Sequence, residues 1–160
     1  MSKPKKSRRF DYNLESVLRI RNVQEKMEQD KYAHANQKYI QEQQKEEEIK
    51  LFQREKYDEL KSILDGGQKI SNFQHVLMRK SHLDIVKEQV EEQERVRVEA
   101  EEKKEEQRAE LIKAVQKRQV LDKDKSKKRE SWKKLMDREQ VKVMDDITSS
   151  REARKKKRGM

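Results

Sequence analysis

The chain lacks cysteine, has only one proline and three glycines, and is poor in aromatic residues, which make up 5% of its 160 positions. Without cysteine it forms no disulfide, thiolate nucleophile or cysteine-ligated metal site. No apolar run approaches the ~20 residues of a membrane-spanning helix, and the basic N-terminus lacks the apolar segment of a secretory signal. We therefore expect a soluble, intracellular protein that needs no metal or cofactor.

Apolar residues are also scarce, at 31% of the chain, whereas charged residues make up 46%. A globular core cannot be filled from so little apolar material, so the chain is either disordered or buries one narrow helical stripe. Glu, Lys, Gln and Arg dominate it, and all four are good helix formers. The composition predicts an all-α protein of long helices. Two helices alone enclose no pocket, so we do not expect an enzyme.

The formal net charge of +10 lies in the two ends of the chain. Residues 1–9 carry five basic side chains, and residues 151–160 carry six basic side chains with one acidic. The part between them is neutral, which does not favour a basic groove for nucleic acid. The basic ends have three open interpretations: solubilising tails, contacts with an acidic protein or anionic membrane, and contacts with RNA.

One strong helix-breaking signal divides the chain, at Gly66 and Gly67. Glycine ends a helix easily because the left-handed conformation costs it little. Ser71 or Asn72 can then cap a second helix. We predict an antiparallel coiled-coil hairpin with basic, flexible tails: tail 1–9, helix 10–65, bend 66–71, helix 72–149 and tail 150–160.

A heptad pattern supports the hairpin. In the second helix, two series with seven-residue steps start at Val76 and Arg79, which is typical of a coiled-coil seam. Folding the chain about its bend pairs residues whose numbers sum to roughly 136. Apolar residues then meet at both ends of the hairpin. Between them Lys104 faces Tyr32, and residues 41–48, which are entirely polar, are expected to be the loosest part.

The same register leaves the second helix too long. Residue 10 pairs near residue 126, so residues 127–149 have no predicted partner within the chain. An unpaired amphipathic helix is marginal in water, so its apolar side chains are expected to contact another protein. These side chains are Trp132, Leu135, Met136, Val141, Val143, Met144 and Ile147.

Apolar residues near the bend form a second candidate surface. Phe73 and Val76 are expected to seal the bend itself. Tyr57 and Leu77 cannot both point inward, and we interpret them as an exposed docking patch.

Several segments resemble the flagellar export protein FliJ. The opening Phe10-Asp-Tyr-Asn-Leu14-Glu-Ser-Val17-Leu18 is similar to the start of that family, an aromatic followed by a Leu-x-Ser-Val-Leu run. Near the other end, Trp132-Lys-Lys-Leu135 and Asp145-Asp146-Ile147 resemble its C-terminal pattern. The resemblance covers nearly the whole chain.

The resemblance implies a non-enzymatic stalk of flagellar type III export, cytoplasmic and peripherally associated with the inner membrane at the flagellar base. Its joined helix ends would insert into the hexameric export ATPase, its bend would contact the export gate in the membrane, and it would also bind export chaperones. The implied ATPase contacts are Leu14, Val17, Leu18, Trp132, Leu135, Met136 and Val143. The implied gate contacts are Tyr57, Phe73, Leu77 and Leu83.

Three alternatives remain open from the sequence. The first is the equivalent stalk of an injectisome secretion system. The second is a basic-tailed helical factor that binds RNA or ribosomes, which the neutral body disfavours. The third is a parallel coiled-coil dimer, which the glycine pair and the complementary register disfavour.

Overall fold

The computed structural model of the chain describes residues 9–66 and 73–159. The described residues form two helices and no strand. Helix α1 spans Glu15–Asp65 and helix α2 spans Phe73–Arg158. The two long helices pack against each other, which confirms the predicted all-α fold.

The chain divides into two compact units. We call the described residues 25–66 and 73–114 the central unit, and residues 9–24 and 115–159 the terminal unit. A stretch of α1 and a stretch of α2 lie side by side within each unit.

The seam of the central unit follows the predicted heptads. Every position of the two series that start at Val76 and Arg79 is buried or half-buried throughout this unit. Val86 is 1% exposed, and Val90 and Ala100 are also buried. The pattern continues in the terminal unit, where both series stay buried or half-buried as far as Lys125.

Contacts across the central seam are antiparallel. Phe52 and His82 pack edge to face with ring centroids 6.0 Å apart. One turn nearer the bend, Arg79 pairs with Glu59 at 3.5 Å. The numbers of these pairs sum to 134 and 138, close to the predicted register.

The long basic side chains of α2 depart from that register. Lys104 was predicted to face Tyr32, but its Nζ lies 4.1 Å from the ring centroid of Tyr39, one heptad further along α1. Helical side chains lean toward the N-terminus of their own helix. In an antiparallel pair that direction runs toward higher residue numbers on α1, which explains the displacement.

In the terminal unit, α1 begins at Glu15 and not at residue 10 as predicted. The backbone amide of Glu15 donates to the carbonyl of Tyr12 at 3.0 Å, and that of Leu18 donates to Leu14 at 2.9 Å. Residues 9–12 before this turn are not helical. Tyr12 is 4% exposed, so its burial fixes the chain in this non-helical approach.

Helix α2 ends at Arg158, nine residues beyond the predicted end at 149. The basic segment expected to be a flexible tail is therefore helical as far as Arg158. Lys and Arg are good helix formers, and positive charge in a last turn interacts favourably with the negative end of the helix dipole. The last turn of α2 carries Lys155, Lys156, Lys157 and Arg158.

Gly66 follows directly after α1. Its φ lies outside the left-handed region, but a Cβ at this position would lie 3.1 Å from the carbonyl oxygen of Ser62. Glycine is therefore favoured here by close backbone approach rather than by a left-handed conformation. Gly67 and the predicted caps Ser71 and Asn72 lie outside the described residues.

Candidate partner-binding surfaces

Tyr12 fixes the start of the chain to α2 within the terminal unit. Its hydroxyl donates to Asp124 Oδ2 at 2.8 Å and lies 3.3 Å from the carbonyl oxygen of Leu121. Burial of the ring, together with the hydrogen bond to Asp124, raises the pKa of Tyr12 from 10.0 to about 12. Beside it, Lys125 of α2 forms an ion pair of 2.7 Å with Glu15, the first residue of α1.

The aromatic ring of Phe10 extends this contact to Trp132. The two ring centroids are 6.0 Å apart with a tilt of 56°. The prediction that residues 127–149 lack any partner in the chain is therefore wrong at Trp132. An extended residue advances about 3.3 Å, against 1.5 Å in a helix. The non-helical segment thus reaches further along α2 than a helical register allows.

Beyond this contact, α2 exposes five of the apolar side chains that were predicted to contact another protein. The exposed fraction is 46% for Leu135, 56% for Val143 and 64% for Met144. Val141 and Ile147 are exposed as well. We call these five exposed side chains, which helical spacing distributes around much of the circumference of α2, the distal apolar surface. They lie on a well-formed helix that ends at Arg158.

The residues implied as ATPase contacts do not share one surface. Leu18 is 5% exposed and belongs to the core of the terminal unit. Trp132 and Met136 are half-buried. Leu14 and Val17, Leu135 and Val143 are exposed.

Three of the four residues implied as gate contacts are exposed, and we call these three the bend surface. The exposed fraction is 60% for Tyr57, 65% for Phe73 and 49% for Leu77. Phe73 therefore does not seal the bend as predicted, because it stands at the first position of α2 with most of its ring in solvent. Val76 is half-buried in the seam, and so is Leu83, a residue implied as a gate contact.

An open groove lies beside these residues in the central unit. It is lined by Lys56, Glu59, His75, Met78, Arg79 and His82. Met78, 73% exposed, adds to the apolar surface near the bend, although no sequence pattern distinguishes it.

The polar stretch 41–48, expected to be the loosest part, contains the two buried carboxylates of the described chain. Glu42 is 7% and Glu46 is 6% exposed. Gln93 Nε2 donates to Glu42 Oε2 at 2.7 Å, and Arg97 donates through Nε to Glu46. Both glutamates occupy heptad positions that continue from Ala35 and Tyr39, so their spacing was the signal that could have predicted a polar layer.

These contacts shift the ionisation of both acids. The hydrogen bond from Gln93 lowers the pKa of Glu42, assisted by Lys45. Lys50 and Arg97 lower the pKa of Glu46 against the opposing effect of its burial. Both groups are therefore held as carboxylates in the seam.

Two further exposed apolar residues were missed. Ile20 is 56% and Val23 is 58% exposed on α1 of the terminal unit. Buried Leu18 and half-buried Arg21 mark the face of α1 that packs on the seam. Ile20 and Val23 project away from that face, so they are available to a partner.

Neither helix, over the described residues, has a stretch long and apolar enough to cross a membrane. The same residues contain no cluster of three His, Asp or Glu side chains able to hold a metal ion.

The fold and its surfaces define a two-helix protein with a polar-layered seam and exposed apolar surfaces. The family model of the flagellar FliJ protein matches residues 10–157 of the chain. The chain therefore belongs to the FliJ family, which makes it a protein of flagellar export by type III secretion. Comparison with curated proteins and with solved structures gave no match.

Proposed function

We propose that this protein is a non-enzymatic stalk that couples the hexameric export ATPase to the rest of the flagellar export apparatus. The terminal unit enters the ATPase ring. The observation that carries this proposal is the distal apolar surface, which α2 holds in helical form beyond the contact of Phe10 with Trp132. Membership of the FliJ family supports the choice of apparatus.

Only some of the residues that the family resemblance implies as ATPase contacts are accessible to a partner. Leu18 supports the terminal unit from inside, because it is buried. Leu135 and Val143, with Leu14 and Val17, supply accessible apolar area. Fully burying one such side chain contributes about 1.5–3 kcal/mol, so two of them supply a few kcal/mol of binding.

The bend surface is proposed to contact the export gate and export chaperones. Tyr57, Phe73 and Leu77 offer accessible aromatic and aliphatic groups there. Leu83 acts on this surface indirectly, by packing in the seam. Gate contact would place the protein in the cytoplasm, peripherally associated with the inner membrane at the flagellar base.

The decisive experiment compares exposed and buried apolar residues of the terminal unit. A Leu135→Ala, Val143→Ala double variant should retain its melting temperature, because both side chains are exposed in the free protein. It should lose most of its affinity for the ATPase and most of its stimulation of ATP hydrolysis. Leu18→Ala should instead lower the free energy of unfolding by about 3 kcal/mol.

A matched control comes from the central unit. Val98 and Ile112 are 39% and 47% exposed on α2, so a Val98→Ala, Ile112→Ala variant removes similar side chains elsewhere. It should stimulate the ATPase normally. Equal stimulation by both double variants, with wild-type affinity, would contradict insertion of the terminal unit.

A further inference from the structure

The last five turns of α2 carry a face that is apolar at one end and basic at the other. Val143, Ile147, Arg151, Arg154 and Arg158 recur at spacings of four, four, three and four residues. At about 100° per residue these positions share one side of the helix. All five are exposed. We call them the apolar–basic stripe.

The acidic residues nearby lie mainly off this stripe. By the same helical spacing, Asp145 and Glu152 fall on the opposite side of α2. Asp146 is at the edge of the stripe, where it lines a shallow groove with Val143, Ile147, Ser150, Arg151 and Arg154. The stripe therefore presents aliphatic groups followed by concentrated positive charge.

We propose that the apolar–basic stripe docks into a protein groove that has an apolar floor and acidic side chains at one end. This inference rests on the proposed function, in which that groove belongs to the export ATPase ring. Apolar contact would come from Val143 and Ile147. Carboxylates in the groove would accept hydrogen bonds from the three guanidinium groups. Each guanidinium can donate two parallel hydrogen bonds to one carboxylate.

A protein groove fits the stripe better than a lipid bilayer does. A helix lying on a membrane buries an apolar face and keeps its basic residues at the flanks. In α2, Arg151, Arg154 and Arg158 stand in line with Val143 and Ile147 rather than beside them. A bilayer that buried the aliphatic pair would draw the arginines toward the acyl chains, where charge is costly.

The test uses variants of equal charge. In the stripe variant, Arg151, Arg154 and Arg158 are replaced by Gln. The control variant replaces Arg138, Lys142 and Lys156, which are exposed on the opposite side of α2, by Gln. Binding of each full-length protein to the hexameric export ATPase is measured over a range of salt concentrations.

The stripe variant should bind about tenfold or more weakly at low salt, and its affinity should depend less on salt. The control variant should stay within about threefold of wild type. A third variant with Lys at the three stripe positions should recover part of the lost affinity, and circular dichroism should show equal helicity for all.

Equal weakening by the stripe and control variants would overturn the inference, because only overall charge would matter. So would a stripe variant that binds the ATPase normally but no longer sediments with vesicles containing anionic phospholipid. If wild-type protein does not bind the ATPase at all, the proposed function itself fails.

Discussion

The ring of Phe10 lies against that of Trp132, with centroids 6.0 Å apart, and joins the non-helical start of the chain to α2. Trp132 is the only tryptophan in the sequence, so tryptophan fluorescence reports on the surroundings of this one residue. Phe10→Ala should expose the indole and shift its emission to longer wavelength. Loss of the aromatic pair should cost about 1 kcal/mol of stability.

Phe52→Ala provides the control, because Phe52 packs on His82 in the central unit. It should leave the tryptophan emission unchanged. An unshifted emission in Phe10→Ala would contradict the packing of the terminal unit.

The pair of buried Glu46 and half-buried Arg97 gives a prediction for stability. Arg97→Leu should lower the melting temperature, because it removes one partner of a carboxylate inside the seam. A Glu46→Leu, Arg97→Leu double variant should recover the melting temperature or exceed it, since an apolar seam pair avoids the desolvation of both charges. Thermal denaturation followed by circular dichroism measures both. A double variant less stable than wild type would show that the pair itself is net stabilising.

Acid should destabilise the central unit by protonating Glu42 and Glu46, the carboxylates of the polar layer in its seam. The pKa values of Glu42 and Glu46 are lowered from 4.5 in the folded state, so the unfolded chain binds protons first as the pH falls. Their stabilising contribution is therefore complete well above pH 4.5 and is lost as the pH falls through the folded-state pKa values. Urea unfolding at a series of acidic pH values should show this loss. Replacing both residues by Gln should flatten that dependence, and an unchanged slope would argue against the layer.

The phenol of Tyr12 should ionise above the usual range of tyrosine, because burial and the hydrogen bond to Asp124 raise its pKa. Because its pKa is raised from 10.0 to about 12, the contribution of its neutral phenol to stability is complete below pH 10 and is lost as the pH rises through about 12. Ultraviolet absorbance of the tyrosinate should show ionisation of a phenol near pH 12. Tyr12→Phe should remove that phase, and its persistence in the variant would contradict the raised pKa of Tyr12.

Heptad spacing predicted the seam of α2 because a buried stripe must repeat every 3.5 residues. The same rule did not reveal the start of α1, since burial of Tyr12 overrides the helix propensity of its neighbours. It therefore also missed the contact between Phe10 and Trp132. Leu18 and Leu135 both belong to apolar patterns, and only packing decides that the first is buried and the second exposed. The polar layer required the partners Gln93 and Arg97, which a pattern confined to one helix does not contain.

The most direct test of insertion of the terminal unit into the ATPase ring is site-specific photo-crosslinking in the native cell. A photoreactive amino acid at Val143 should form a crosslink to the export ATPase, identified by mass spectrometry of the purified adduct. The same residue at Val98, on α2 of the central unit, should give no such adduct. Crosslinking of the ATPase from Val98 but not from Val143 would contradict insertion of the terminal unit into the ring.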